Sequence, residues 1–331
     1  MTLGWGIIGI GHIADTQMAP AIDADPNSKL VSVVSRDRGR ADTFAQKHGA
    51  VHATTSYDEM LERDDVDVVL ITTPNSLHAE QVIAAARAGK HVYCDKPLAT
   101  TVADAERAVA ACDDASVKLG MGFHNRAMPC FLEAKRILDA GIVGEPISVH
   151  VEVSAGAREH ESWRADPTLA GHGTMANVGV HLYDVLRFIM GAEIVTVSAF
   201  LDAPGGQMER MSVATLIFDN GAIAQIDANE KVPFPRNDFV IHGTRGRIAG
   251  LGLTRTSAGG EFRVLAADGE TSTSFPPASE AHRDALSGFC RVLVEGRTPS
   301  PSGRDGLQIV RVVDAMARSF RDGVHVRLGS L

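Results

Sequence analysis

Apolar residues in the first third of the chain fall into short runs, separated by longer stretches in which they recur every three or four positions. The runs at 5–8, 30–34, 66–72, 91–94 and 118–122 read as strands, and the stretches from about 13, at 41–48, at 79–88 (closed by Gly89) and at 102–114 read as helices. Strand and helix alternating in this way predict parallel βαβ units. A run such as Val68-Val69-Leu70-Ile71, apolar at consecutive positions, suits a sheet covered on both faces.

After about Phe123 the pattern changes. One helix over 131–140, ended by Gly141, gives way to longer alternating segments at 147–154, 194–201, 211–218, 222–228 and 239–243. Asp219-Asn220-Gly221 between two of them is a hairpin signal. A helix over 180–189 and two more over 280–295 and 307–321 complete the prediction. The expected architecture is α/β: a Rossmann domain with a doubly wound parallel sheet over 1–122, then an α+β domain with a large, mostly antiparallel open sheet over 123–331, with the substrate cleft between them. An open sheet has a face to cover, which predicts a homodimer or higher homo-oligomer formed through the C-terminal sheet.

Composition narrows the field of partners. At 331 residues and 44% hydrophobic, the chain can bury the cores of two domains. With 32 Lys and Arg against 41 Asp and Glu, it carries a formal charge of −9 and shows no basic stripe, so neither nucleic acid nor a membrane surface is an expected partner. Cys94, Cys112, Cys130 and Cys290 lie at no metal-type spacing, and with no secretory leader in view the expected location is cytoplasmic. The apolar stretch 3–10 runs into glycines, and no stretch approaches the length of about 18 apolar residues that would span a bilayer.

The chemistry starts at Gly9-Ile10-Gly11-His12-Ile13-Ala14, a G-x-G-x-x-A string that follows a strand and opens a helix. Gly9 permits a tight turn, Gly11 lets the backbone approach a pyrophosphate, and Ala14 permits close packing; the helix start, with His12 and Ile13, offers N–H groups to the phosphates. His12 itself reads as a solvent-facing loop residue rather than a catalyst. The second strand ends in Val34-Ser35-Arg36-Asp37, with a hydroxyl where an NAD-binding chain carries an acid. Ser35 and Arg36 suit the 2′-phosphate of NADP(H), whereas a shift of one residue would put Asp37 on the ribose of NAD(H). Arg40 is a further cation in reach, or a surface charge. Thr73, Pro74, Asn75 and His78 follow one strand, and Asp95-Lys96-Pro97 follows another, at the sheet edge where ligands bind. The first group is expected along the nicotinamide, and Lys96, held on an extended turn before proline, to polarise a substrate oxygen.

These strings resemble the glucose-fructose oxidoreductase and inositol dehydrogenase (Gfo/Idh/MocA) family. The resemblance runs from the glycine turn through Thr73-Pro74-Asn75-Ser76-Leu77-His78, the stretch Ala88-Gly89-Lys90-His91-Val92-Tyr93-Cys94-Asp95-Lys96-Pro97, Trp163-Arg164 and Gly171-His172-Gly173-Thr174-Met175-Ala176-Asn177-Val178-Gly179-Val180-His181, to Pro299 and Gly306. It implies reversible hydride transfer between NADP(H) and a carbonyl or hydroxyl carbon of a sugar or polyol. Lys96 is then the active-site lysine, with Asp95 where the family usually has Glu, and His181 the proton donor or acceptor. Asn177 stands where many members carry Asp, and its spacing from His181 puts both on one helix face toward the substrate. Trp163 and Arg164 wall the cleft in this reading, or Trp163 simply packs.

Other features have plainer readings. His124-Asn125-Arg126 sits at the domain junction, where His124 and Arg126 can meet substrate or cap the next helix. Asp184 and Arg187 read as a helix-surface pair. Cys94 is either a redox switch or an inert thiol. His160, His172 and His181 are too scattered for a metal site, and none is expected. Two rivals remain, a non-catalytic cofactor sensor of the same fold and a different Rossmann reductase.

Overall fold

The computed structural model describes residues 2–157, 162–203 and 208–329. They form two compact units: the first runs to Phe123 and takes in His282–Val310, and the second comprises His124–Ala281 and the chain from Arg311.

The first unit is built on six parallel strands, β1 (Leu3–Ile8), β2 (Ser28–Val34), β3 (His52–Thr54), β4 (Val68–Ile71), β5 (His91–Cys94) and β6 (Leu119–Met121). Their order is β3-β2-β1-β4-β5-β6, so the sheet reverses its winding between β1 and β4. Every residue of β1 and β4 is buried, as expected of strands that are apolar on both faces. The connections are a π-helical turn at Ala14–Met18 continued by α1 (Ala19–Ala24), then α2 (Arg38–His48), α3 (Tyr57–Leu61), α4 (His78–Arg87) and α5 (Val102–Asp114). Asp37, Ser56 and Thr101 cap α2, α3 and α5 by accepting from the N–H of Arg40, Glu59 and Asp104. Each such cap contributes about 1 kcal/mol. The three-residue β3 and five-residue α3 are too short to show a periodicity, and the sequence pattern did not predict them.

The second unit begins with α6 (Pro129–Asp139), β7 (Pro146–Ser154), α7 (Pro167–Ala170) and α8 (Val180–Met190), the last preceded by a π-helical turn at Met175–Gly179. There follow β8 (Ile194–Leu201), β9 (Met211–Phe218), β10 (Ile223–Asn229), β11 (Phe239–Gly243), β12 (Gly246–Leu251), β13 (Gly260–Ala266) and β14 (Gly269–Phe275). The chain then forms α9 (Ala281–Val294), α10 (Gly303–Asp322) and a short β15 (Val326–Arg327). The nine strands run in the order β14-β13-β12-β11-β7-β10-β9-β8-β15. Only the central pair β7 and β10 is parallel. The hairpin signal falls between β9 and β10 as expected, with Gly221 at φ 86° and the Asn220 side chain accepting from Ala222 N–H at 3.1 Å. Ser212, Ala214, Leu216 and Phe218 of β9 point to the core. On the opposite face, Phe200 pairs with Val213 and Ile223 with Ile217, and all four are exposed, Phe200 by 75%.

The expected single boundary near 122, with everything after it in one domain, differs from the chain's course. Leu286, Phe289 and Cys290 of α9 belong to the core of the first unit. There the ring of Phe289 meets Tyr93 at 5.2 Å and Trp5 at 6.2 Å between centroids, edge to face. No helix among the described residues is long and apolar enough to cross a membrane.

Candidate active site

At the carboxyl edge of the parallel sheet the ends of β1 and β4 are laced together. Gly9 has φ +94°, and a Cβ placed on it would stand 2.6 Å from the backbone of Thr72 and Thr73. Only glycine meets both demands. Thr72 Oγ1 donates to the Gly9 carbonyl at 2.6 Å, holding the turn on β4. A Cβ on Gly11, in contrast, would meet nothing within 4 Å, so the backbone there is open to a phosphate. Ala14 is fully buried, Ile13 half-buried and His12 exposed, with the His12 carbonyl accepting from Thr16 Oγ1. This turn fits a dinucleotide pyrophosphate.

The end of β2 decides which groups face the adenosine side. Ser35 is tied by its N–H to the Thr54 carbonyl at 3.2 Å, and its Oγ accepts from Asp37 N–H at 3.3 Å. The Asp37 carboxylate is engaged as the cap of α2, accepting from Arg40 N–H at 2.8 Å. Arg38 pairs with Asp42, while Arg36 and Arg40 are both exposed beside Ser35. The edge therefore carries one hydroxyl, the exposed guanidinium groups of Arg36 and Arg40, and the Asp37 carboxylate held at the start of α2.

The turns after β4 and β5 are joined by one imidazole. His78, expected along the nicotinamide, is instead fully buried, with Nδ1 at 2.7 Å from the Pro97 carbonyl and Nε2 at 2.8 Å from the Thr73 carbonyl. It presents no surface to a ligand and instead ties the Thr73 turn to the residue after Lys96. Thr73 Oγ1 donates to Gln81 Oε1, Pro74 is half-buried, and Asn75 is buried at the start of a short 3-10 turn. Asp95, expected at the sheet edge where ligands bind, turns its carboxylate onto its own chain: Oδ1 accepts from Lys96 N–H at 2.8 Å, and Asp95 N–H donates to the Ile71 carbonyl. The acid thus sets the peptide that carries Lys96. Cys94 is fully buried, and burial drives its thiol well above its ordinary pKa, as befits an inert thiol. His282, from α9, was not singled out in the sequence because it lies far along the chain in no motif. Burial pushes its imidazole below the ordinary value; neighbouring Asp95 opposes that shift and Lys96 adds to it.

In the second unit His124 and Arg126 lie on a 3-10 turn at His124–Ala127, and His181 lies in the first turn of α8. The rings of His124 and His181 are in contact, and both residues are half-buried. Arg126, expected at the substrate, is corrected to a buried anchor: Nε and Nη2 form a fork on Asp184 at 2.7 and 2.6 Å, and the guanidinium lies over the Phe188 ring. The expected Asp184–Arg187 surface pair is corrected with it. Both residues are buried and their closest approach is 3.9 Å, whereas Arg187 forks onto Glu193. The Arg164 guanidinium stacks 4.4 Å over the half-buried Trp163 ring. Asn177 sits on the π-helical turn ahead of α8, half-buried, with Nδ2 donating to Glu230 at 3.1 Å. His160 lies outside the described residues; among those described, no three His, Cys, Asp or Glu side chains are grouped to hold a metal.

Residues 3–123 match a family model described as an oxidoreductase family with an NAD-binding Rossmann fold, and residues 131–249 match the GFO/IDH/MocA C-terminal domain. The chain is 33% identical over 307 residues to 1,5-anhydro-D-fructose reductase of Ensifer adhaerens, covering 92% of each chain. It is 27% identical over 335 residues to scyllo-inositol 2-dehydrogenase (NAD(+)) of Bacillus subtilis, covering 97% of this chain and 95% of that one. The solved structure of aldose-aldose oxidoreductase from Caulobacter crescentus, complexed with glycerol, matches with a TM-score of 0.89 and 29% identity over 99% of this chain and 100% of that one.

Proposed function

The chain belongs to the GFO/IDH/MocA oxidoreductase family, as an NAD(P)-dependent enzyme acting on sugar-like CH–OH groups, and from that premise we propose an NADP(H)-linked reaction with Lys96 and His181 at its centre. The substrate in this reading is 1,5-anhydro-D-fructose or a related aldose or polyol, by likeness to the Ensifer reductase.

The observation that carries the choice of cofactor is the engagement of Asp37. With that carboxylate capping α2, the end of β2 offers Ser35 Oγ, Arg36 and Arg40, which suit a 2′-phosphate, and no second acid stands between Val33 and Arg40 to take a ribose hydroxyl. Gly9, Gly11, His12 and Ile13 shape the pyrophosphate turn, and Thr73, Pro74 and Asn75 lie toward the nicotinamide. The bound cofactor supplies the hydride acceptor or donor. Lys96, its peptide set by Asp95, places an ammonium on the substrate oxygen and stabilises negative charge as it develops. His181 takes the hydroxyl proton in oxidation and returns it in reduction. Asn177, His124, Trp163 and Arg164 contact the substrate around that centre.

The exposed apolar face of β8, β9 and β10 is covered in this reading by a second copy of the chain, giving a homodimer or higher homo-oligomer. The four cysteines are free and buried, which fits a reducing compartment such as the cytoplasm.

Absorbance of reduced nicotinamide tests the proposal. NADPH with 1,5-anhydrofructose, and NADP with an aldose and polyol panel, are each compared with NAD(H) and with Lys96→Ala. Turnover that needs Lys96 and prefers the phosphorylated cofactor is expected; equal rates with Lys96→Ala reject the assigned role.

A further inference from the structure

Glu230, the residue after β10, is fully buried, and the proposed reaction leaves it without a role. Its main chain is pinned to Arg210: Glu230 N–H donates to the Arg210 carbonyl at 2.8 Å, and Arg210 Nη2 donates to the Glu230 carbonyl at 3.2 Å. Its carboxylate faces the π-helical turn that carries Asn177. Thr174 Oγ1 donates to Oε2 at 3.0 Å, and Asn177 Nδ2 donates to Oε1 at 3.1 Å. A second buried acid, Glu209, accepts from Met175 N–H at 3.0 Å and fixes the start of the same turn.

We propose that Glu230 is a specificity-determining positioning residue, which fixes the Asn177 amide so that its carbonyl oxygen, an acceptor, is the edge presented to substrate. The proposal rests on the reading of Asn177 as a substrate contact. A side-chain amide has a donor end and an acceptor end of nearly the same shape, so a half-turn exchanges them at little steric cost. What selects between the two orientations is the neighbour. Carboxylate oxygens only accept, so Glu230 bonds the amide in one orientation and faces oxygen with oxygen in the other. Burial, the backbone pins and the Thr174 hydroxyl on the second oxygen keep the carboxylate in place. Asn177 then favours a substrate that brings a hydroxyl hydrogen to that point over one that brings a keto oxygen or a fluorine there, because an acceptor facing an acceptor is left unsatisfied.

Glu230→Gln keeps the volume but offers a donor as well as an acceptor, so both amide orientations become bonded. In the full-length protein this change is expected to shrink the ratio of kcat/KM for the best hydroxyl substrate over its monofluoro analogues, at one ring position, by about tenfold. The change should fall mainly on KM, with NADPH affinity by fluorescence titration unaltered. A merely structural role would lower the unfolding temperature and leave that ratio alone.

The pairing itself is read without turnover. Asn177→Asp sets a second carboxyl group against Glu230 and should lower the unfolding temperature, and Glu230→Gln in the same chain should restore most of the loss. Additive unfolding temperatures in this cycle overturn the proposal whether or not a substrate is known. A non-additive cycle with an unchanged hydroxyl-to-fluoro ratio overturns the specificity role. A non-additive cycle in a wild-type protein that turns over no sugar or polyol overturns it too, by removing Asn177 as a substrate contact, and places the fault in the proposed function.

Discussion

The imidazole rings of His124 and His181 lie 4.5 Å apart between centroids, tilted by 58°. Two imidazoles at that distance do not both carry a proton cheaply, because each charge disfavours the other. In the proposed reaction, where His181 takes the hydroxyl proton, this contact makes His124 the neighbour that would favour a neutral His181. Replacing His124 with Asn is expected to let His181 keep its proton to higher pH, moving the acidic limb of the kcat/KM profile for polyol oxidation upward. A limb that stays in place would detach His124 from the proton step.

In the proposed function the cofactor is chosen at the edge around Ser35. Ser35→Asp combined with Arg36→Ala would put an acid on the ribose and remove a cation from the phosphate, and is expected to reverse the proposed preference for NADP over NAD. Loss of one charge-assisted contact amounts to about 1.5–3 kcal/mol, roughly ten- to a hundredfold in KM for NADP. Initial rates with both cofactors at saturating substrate decide the matter, and a KM for NADP that does not move would sink the assignment.

Arg126 separates an anchor from a substrate contact. Removing one partner of a buried fork leaves the other charge uncompensated, so Arg126→Met should destabilise the fold by about 3–5 kcal/mol in urea unfolding. Arg126→Met/Asp184→Leu should recover much of that loss. A single variant of wild-type stability with a raised substrate KM would return Arg126 to the substrate.

Stability on the acid side should depend on three half-buried histidines. Burial holds His91, His172 and His282 below the ordinary imidazole pKa in the fold. As pH falls from about 7.5 to 5.5 the unfolded chain takes up these protons first, so stability that is present above the ordinary value of roughly 6.5 is lost as the pH drops toward the folded values. Glu209, whose carboxyl is raised by burial, works in the opposite sense: its contribution is present below the ordinary carboxyl range and lost as pH rises through its folded value. His282→Gln and His172→Asn should each flatten the fall in urea midpoint between pH 7.5 and 5.5. A slope identical to that of the wild type would exclude them as its source.

Phe200 is the most exposed of the four apolar residues on the outer face of the second sheet. Phe200→Glu, alone or with Ile217→Lys, should turn the proposed oligomer into monomer in size-exclusion chromatography with light scattering. A wild-type protein that is monomeric at micromolar concentration refutes the proposed partner.

Much of this was legible in the chain. Five of the six parallel strands, the glycine turn and the Asn220-Gly221 hairpin declare themselves through local pattern, because buried strands and tight turns admit few residue types. β14 did not: all but one of the residues of GETSTSF are exposed, so it has no apolar face to alternate with a polar one. The partners of site residues were hidden for another reason. Arg126 finds Asp184 58 residues away, and Asn177 finds Glu230 at a distance of 53, and no spacing rule connects them. His78 lay within a recognised string, yet only three dimensions show that its nitrogens meet backbone carbonyls rather than a ligand.

The return of α9 to the parallel sheet makes the cofactor unit a late product of translation. A nascent chain released only as far as Phe123 has all six strands but lacks Leu286, Phe289 and Cys290, so Trp5 and Tyr93 would face water or a chaperone. The ribosome must deliver the chain through Val310 before this unit can close. An excised fragment ending at 123 should accordingly be less stable than the same segment co-expressed with 282–310.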